Sequence, residues 1–453
     1  MLRAIEPTPR MRSLAVPVWA AALLASLAAE AEPTPFVGHG GPVKGIAAAE
    51  AGLATAGFDY SVVLWNPATG MPRLRLMGHR GPVNDVAFAP SGRFLSSTGD
   101  DGRLGIWDLA TGRPRALARG HEAKAVAVAL SPDGRMAATA GWDGRVLLWR
   151  VPEAEQVASF GAPPLRYTGV AFAAGGRKLA ASDQEGALTL WDLETRRLLW
   201  RSDGNGFPIT RLLSRGEILL TGSIDGTIRG WSVEDGRELF RLEGQEKPVL
   251  SLAATTDGGR IASGTAAGTI YIWNARDLAS ERVLRSAGGP VWALAFAADG
   301  RTLYSGHGDG ALRVWDAERG DQLAGPTQTW ITETQRIAAH TGAPKLFGKC
   351  RLCHSLTPDS ENKSGPTFYG LIGRRVGSLP DYPYSEALRR ADVVWTEETL
   401  TRLFELGPDR YLPGTKMPLQ RIANRREIEE LVRWLVRVTS RVDGRNAQAE
   451  ERE

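Results

Sequence analysis

Between residues 36 and 320 the chain alternates short apolar runs with turn-forming clusters, and tryptophan returns at 65, 107, 149, 191, 231, 273 and 315, 42 residues apart in every interval but one. Each tryptophan closes an apolar run, as in Val62-Val-Leu-Trp65, Leu147-Leu-Trp149, Ile270-Tyr-Ile-Trp273 and Leu312-Arg-Val-Trp315. Runs of this length and content read as strands. Ser-Pro-Asp-Gly at 131–134 is of the kind that joins short antiparallel strands. Six positions before the tryptophan stand Asp59, Asp101, Asp143, Asp225 and Asp309, with Glu185 and Ala267 in the other two repeats. Gly-His pairs place His39, His79 and His121 at a second recurring position, while His307 falls outside it, in Gly306-His-Gly-Asp-Gly310. The periodicity then changes. After Asn424, the run Arg425 to Val438 carries Ile428, Leu431, Val432, Trp434 and Leu435 at helical spacing, and Ala343 to Cys350 reads as a shorter helix.

A repeat of this period is the signature of a solenoid or propeller, and residues 36 to 320 resemble the WD-repeat family. The resemblance implies an all-β propeller of seven four-stranded blades around a central channel. It also implies structural work for the recurring residues: the turn aspartate bonds backbone and, where present, the Gly-His imidazole, which reaches toward the blade's tryptophan and a Ser or Thr. Blades lacking that histidine look weaker, and His307 reads as a turn residue, with a contact on the propeller's top face as the alternative. Thr34 to Val37 and Asp321 to Ala324 are both able to supply the strand that closes the ring, and the sequence does not choose between them. The expected organisation is a leader over 1–31, the propeller over 33–324, a linker over 325–339, a second domain over 340–440 and a charged tail over 441–453.

The only two cysteines stand in Cys350-Arg-Leu-Cys353-His354, the pattern of covalent c-type haem attachment. Each thiol suits a thioether to a haem vinyl group, and the adjacent histidine suits an axial iron ligand. A redox disulfide or half of a zinc site is the plainer alternative. The first has no need of the histidine, and the second lacks partners, since no cysteine is left and no histidine follows His354. For the opposite face of the iron, Met417 is the one methionine downstream, in the loop Pro413-Gly-Thr-Lys-Met-Pro418. Lys363 and Lys416 are its competitors.

Residues 341 to 438 resemble a class I cytochrome c of the mitochondrial and alphaproteobacterial type. Lys349-Cys-Arg-Leu-Cys-His354, Gly365-Pro-Thr-Phe-Tyr-Gly-Leu-Ile-Gly-Arg374, Tyr382-Pro-Tyr384, Trp395-Thr-Glu-Glu-Thr-Leu400 and Tyr411-Leu-Pro-Gly-Thr-Lys-Met417 carry the likeness. It implies an all-α domain holding one haem c through Cys350 and Cys353, with His354 and Met417 as axial ligands. It further implies that the Pro366 carbonyl orients His354, that Arg374, Tyr384 and Trp395 hold a buried propionate, and that Thr415 lies near the propionate edge. Leu388 and Leu403 depart from the family, where many members carry asparagine and tyrosine. After residue 340 only Lys345, Lys349, Lys363 and Lys416 remain of its usual lysine ring.

The N-terminus, with Arg3, Arg10 and Arg12 before an apolar stretch from Leu14 to Ala29 and Ala29-Glu-Ala31, reads as a secretory signal. Export agrees with haem attachment in the bacterial periplasm, with no stable membrane insertion unless the signal stays uncleaved. A net charge of +4 spread along the chain, with no basic patch among aromatics, gives no support to nucleic-acid binding. The expectation is a monohaem electron carrier, not an enzyme, which docks on unidentified redox proteins through its propeller. The alternatives are an oxidoreductase with a second site on the propeller and a redox-sensing scaffold.

Overall fold

The computed structural model describes residues 35–245, 248–323, 333–351, 353–358, 364–380, 382, 384–415, 417, 422 and 424–439. The expected signal, most of the linker, the charged tail, Lys363 and Lys416 lie outside the described residues.

Seven four-stranded antiparallel sheets follow one another along the chain. Blade one is Val43–Ala49, Gly52–Gly57, Ser61–Asn66 and Met71–Met77, and the pattern repeats to blade seven. One blade cannot bury its own faces, so the core lies between blades. Leu64 and Val62 of blade one meet Val83, Val86, Leu95 and Trp107 of blade two. Leu53, Val63 and Trp65 meet Tyr304 and Leu312 of blade seven in the same way.

Closure of the ring uses both candidate segments. Phe36–Val37 pairs with Leu312 and Ala311, while Gln322 bridges to Trp315 at the other end of the same strand. The outermost strand of blade seven is thus assembled in two halves, from the beginning and the end of the propeller sequence. Across the channel, the Arg211 guanidinium of blade five donates to the carbonyls of Leu250, Lys44 and Trp292 at 2.9–3.1 Å, tying it to blades six, one and seven.

The recurring residues form a hydrogen-bonded chain inside each early blade. In blade one His39 Nδ1 donates to Asp59 at 2.9 Å, Nε2 accepts from the Thr55 hydroxyl at 2.7 Å, and the Trp65 indole donates to the same oxygen at 2.8 Å. His79, Ser97 and Trp107 repeat this in blade two, and His121, Thr139 and Trp149 in blade three. The later blades keep the tryptophan–hydroxyl bond and replace the imidazole. Asn205 serves Thr221 and Trp231, and Gln245 serves Ser263 and Trp273. His307 ends a strand and opens the turn that Gly310 closes by donating to its carbonyl at 3.2 Å, and it is also fully buried and bonds Ser305, which receives Trp315, each at 2.7 Å. Blade four carries Ala181 at the hydroxyl position and has no such bond.

The C-terminal part contains six helices among the described residues: α1 (Glu333–His340), α2 (Phe347–Cys350), α3 (Glu386–Arg390), α4 (Glu397–Leu406), α5 (Pro408–Tyr411) and α6 (Arg425–Thr439). Ile428, Leu431, Val432, Trp434 and Leu435 of α6 are all at most 3% exposed, so its apolar stripe is a core face. Trp434 packs on Phe347 of α2 with centroids 4.4 Å apart. Two expectations change here. The helix before the cysteines is only Phe347–Cys350, since the chain leads into it by turns in which the N–H groups of Phe347 and Gly348 donate to the carbonyls of Pro344 and Lys345. Residues 333–340 are also helical, not linker, and Ala338 belongs to the same buried cluster as Trp434.

Candidate functional site

Helix α2 ends at Cys350, and the backbone then turns so tightly that the N–H groups of Cys353 and His354 both donate to the Cys350 carbonyl, at 3.1 and 2.9 Å. This turn brings both sulfurs and the imidazole to one wall of a cavity, and no disulfide joins the two cysteines. His354 Nδ1 donates to the Pro366 carbonyl at 2.7 Å. That bond fixes the tautomer, so the lone pair sits on Nε2, the nitrogen a metal would take. The ring is stacked on Phe368, with centroids 4.2 Å apart and 12° between planes. Gly365 is needed alongside: a Cβ there would lie 2.6 Å from His354 Cε1.

All nine residues singled out from the sequence border this one cavity: Cys350, Cys353, His354, Pro366, Arg374, Tyr384, Trp395, Thr415 and Met417. The Thr415 hydroxyl accepts from the Met417 N–H at 3.2 Å and holds the loop that carries the thioether. Leu388 and Leu403, the two departures, are buried with Val376 and Leu412 in an apolar cluster against Met417 and Tyr384. Arg374 donates to the carbonyls of Tyr369 and Thr367. Burial pulls its pKa down, and among the described residues it forms no ion pair, so an anion entering the cavity would offset the cost of keeping that cation out of water. Burial likewise raises the phenol of Tyr384.

Among the described residues, no cluster of three or more His, Cys, Asp or Glu could hold a metal on its own. One imidazole and one thioether suffice only when the other ligands come with the metal, as in a porphyrin. The two cysteine sulfurs beside that imidazole and the apolar walls fit such a group.

The sequence reading missed the cavity's propeller side. Asp59 and Met77 of blade one also border it, and Gly40 lies against Cys353. Asp59 would be raised by burial, but His39, Arg75 and the Gly40 N–H hold its carboxyl far below the usual range.

Comparison with known proteins finds relatives of both parts, and one family match runs from the repeats into the Cys350–Cys353 motif. The model described as WD domain, G-beta repeat matches residues 70–108. That described as Outer membrane protein assembly factor BamB matches residues 123–353, just over half of the chain. Cytochrome c2 of Agrobacterium tumefaciens is 39% identical over 93 residues, 20% of this chain and 83% of that protein. Cytochrome c of Gibberella zeae is 34% identical over 94 residues, 21% of this chain and 88% of that protein. Cytochrome c of Arabidopsis thaliana is 34% identical over 97 residues, 21% of this chain and 86% of that protein. The chain therefore belongs, over its repeats, to the propeller family covered by the WD and BamB models and, over a segment of about a fifth of its length, to the cytochrome c family.

Proposed function

We propose that this protein is a single-electron carrier of the periplasm, with a class I cytochrome c domain holding one covalent haem and a propeller that docks on redox partners. The observation that carries the reading is the convergence of Cys350, Cys353, His354 and Met417 on one apolar cavity, with His354 oriented by Pro366. A haem bound there would take up and release one electron at a time, with no substrate bond made or broken. The chain's own residues supply the rest. Cys350 and Cys353 would anchor it, and His354 and Met417 would hold the iron in both redox states. Arg374, Tyr384 and Trp395 would compensate a propionate, with Thr415 close by. The apolar wall of Leu388 and Leu403 would exclude water and favour the less charged, reduced state.

Location in the periplasm is supported by the basic and then apolar N-terminus and by the need of this attachment motif for export. The propeller adds surface and holds carrier and partner at high local concentration. A second metal site on it has little to build on: His39, His79, His121 and His307 are each engaged inside a blade. The test is optical. Haem-loaded protein should show a ferric sulfur-to-iron band that Met417→Ala removes while the haem stays covalently attached. A wild-type spectrum that is high-spin and binds cyanide readily would refute ligation by Met417.

A further inference from the structure

Three features mark a built contact between blade one and the cysteine edge of the cavity. A Cβ added to Gly40 would overlap Cys353 Sγ and stand 3.5 Å from Ser364 Oγ, so the loop preceding blade one touches the sulfur directly. Asp59 and Met77 complete that side of the cavity. Behind it, Tyr382 donates to the Ser364 carbonyl at 2.6 Å, and its phenol is raised by burial, with Tyr384, Cys353 and Asp59 adding to the effect.

The repeat itself shows that Gly40 is no requirement of the blade. The same position is Arg80 in blade two and Glu122 in blade three. In all three the backbone N–H donates to the turn aspartate, at 3.0 Å from Gly40, 2.7 Å from Arg80 and 3.0 Å from Glu122. Arg80 and Glu122 are exposed, so a long side chain costs the propeller nothing there. Of these three blades only blade one lacks the side chain, and there Cys353 takes its space.

We propose that blade one carries a dedicated seat for the haem segment, formed by Gly40, Asp59 and Met77, so that the Cys353 edge of the haem is covered by the propeller and electrons cross at another edge. This rests on the reading of the cavity as a haem site. The propeller is then part of the redox centre's wall, beyond its role as a tether. Covering that edge removes water from the haem and so favours the reduced state, a known lever on haem potential.

The test uses the full-length, haem-loaded protein and grafts onto blade one the residue of blade three, Gly40→Glu. The expected result is retained covalent haem, a larger radius of gyration by small-angle scattering and a lower reduction potential. Arg80→Ala at the matching position of blade two should change none of these. Met77→Glu provides a second disruption of the seat and carries the same expectation. Both blade-one variants retaining the wild-type radius and potential would overturn the proposal. Absence of covalent haem from the unaltered chain would instead sink the underlying reading.

Discussion

At the scale of single residues, the buried hydroxyls of the blades have a dual duty that makes them expensive to lose. Thr139 accepts from the Trp149 indole at 2.9 Å and donates to His121 at 2.8 Å. Thr139→Val keeps the shape but strands both partners, and should cost about 1–3 kcal/mol in urea unfolding. Blade four does without this bond, with Ala181 beside Trp191, so the loss should destabilise without preventing folding. His307 gives a pH dependence. Burial, with Arg313 assisting, lowers its pKa from 6.5 to about 4. Below pH 6.5 the unfolded chain therefore takes up a proton that the folded blade refuses. Its contribution is fully present above pH 6.5 and is lost progressively as pH falls toward 4. Moving from pH 7.5 to 5 should remove about 2 kcal/mol through this group, and His307→Gln should flatten that part of the profile. A profile unchanged by the substitution would assign the acid sensitivity elsewhere.

At the scale of elements, the two-part closing strand concentrates risk in very few residues. Phe36 is 4% exposed and lies between blades one and seven beside Trp65, Tyr304 and Leu312. Phe36→Ala should cost about 3–5 kcal/mol and show as a lowered thermal midpoint. An equal truncation at Leu323, which is 38% exposed, should be nearly silent. Much of this level was legible from the chain: the 42-residue beat placed all seven blades, and helical spacing placed α6 with Ile428 to Leu435 inside. The rest was hidden for physical reasons. In the later blades the amides of Asn205 and Gln245 take the imidazole's place toward the equivalent hydroxyl, and His307 reaches Ser305 from a different position, so a search for Gly-His pairs finds only three blades. The two halves of the closing strand are each too short to carry a period of their own, which left the ring's closure undecided. Helix α1 escaped notice because it follows a polar stretch and, among its described side chains, the apolar contribution to the core comes from Ile337 and Ala338.

At the scale of the whole molecule, the residues chosen from the haem-attachment motif and its family likeness border a single cavity, although they are spread from Cys350 to Met417. What the chain did not reveal is the propeller's share in that cavity, since Asp59 and Met77 lie far away in sequence and read simply as parts of a repeat. The register of that repeat holds the clue in one place, a glycine where two sibling blades carry charged residues. None of the described helices is long and apolar enough to cross a membrane. The central claim is covalent chemistry at two sulfurs, and the most direct measurement is the intact mass and peptide map of protein made in a host able to attach haem c. One added haem on the peptide containing Cys350 and Cys353, lost in Cys350→Ala/Cys353→Ala, is the expected result. An unmodified mass with both thiols open to alkylation would contradict it.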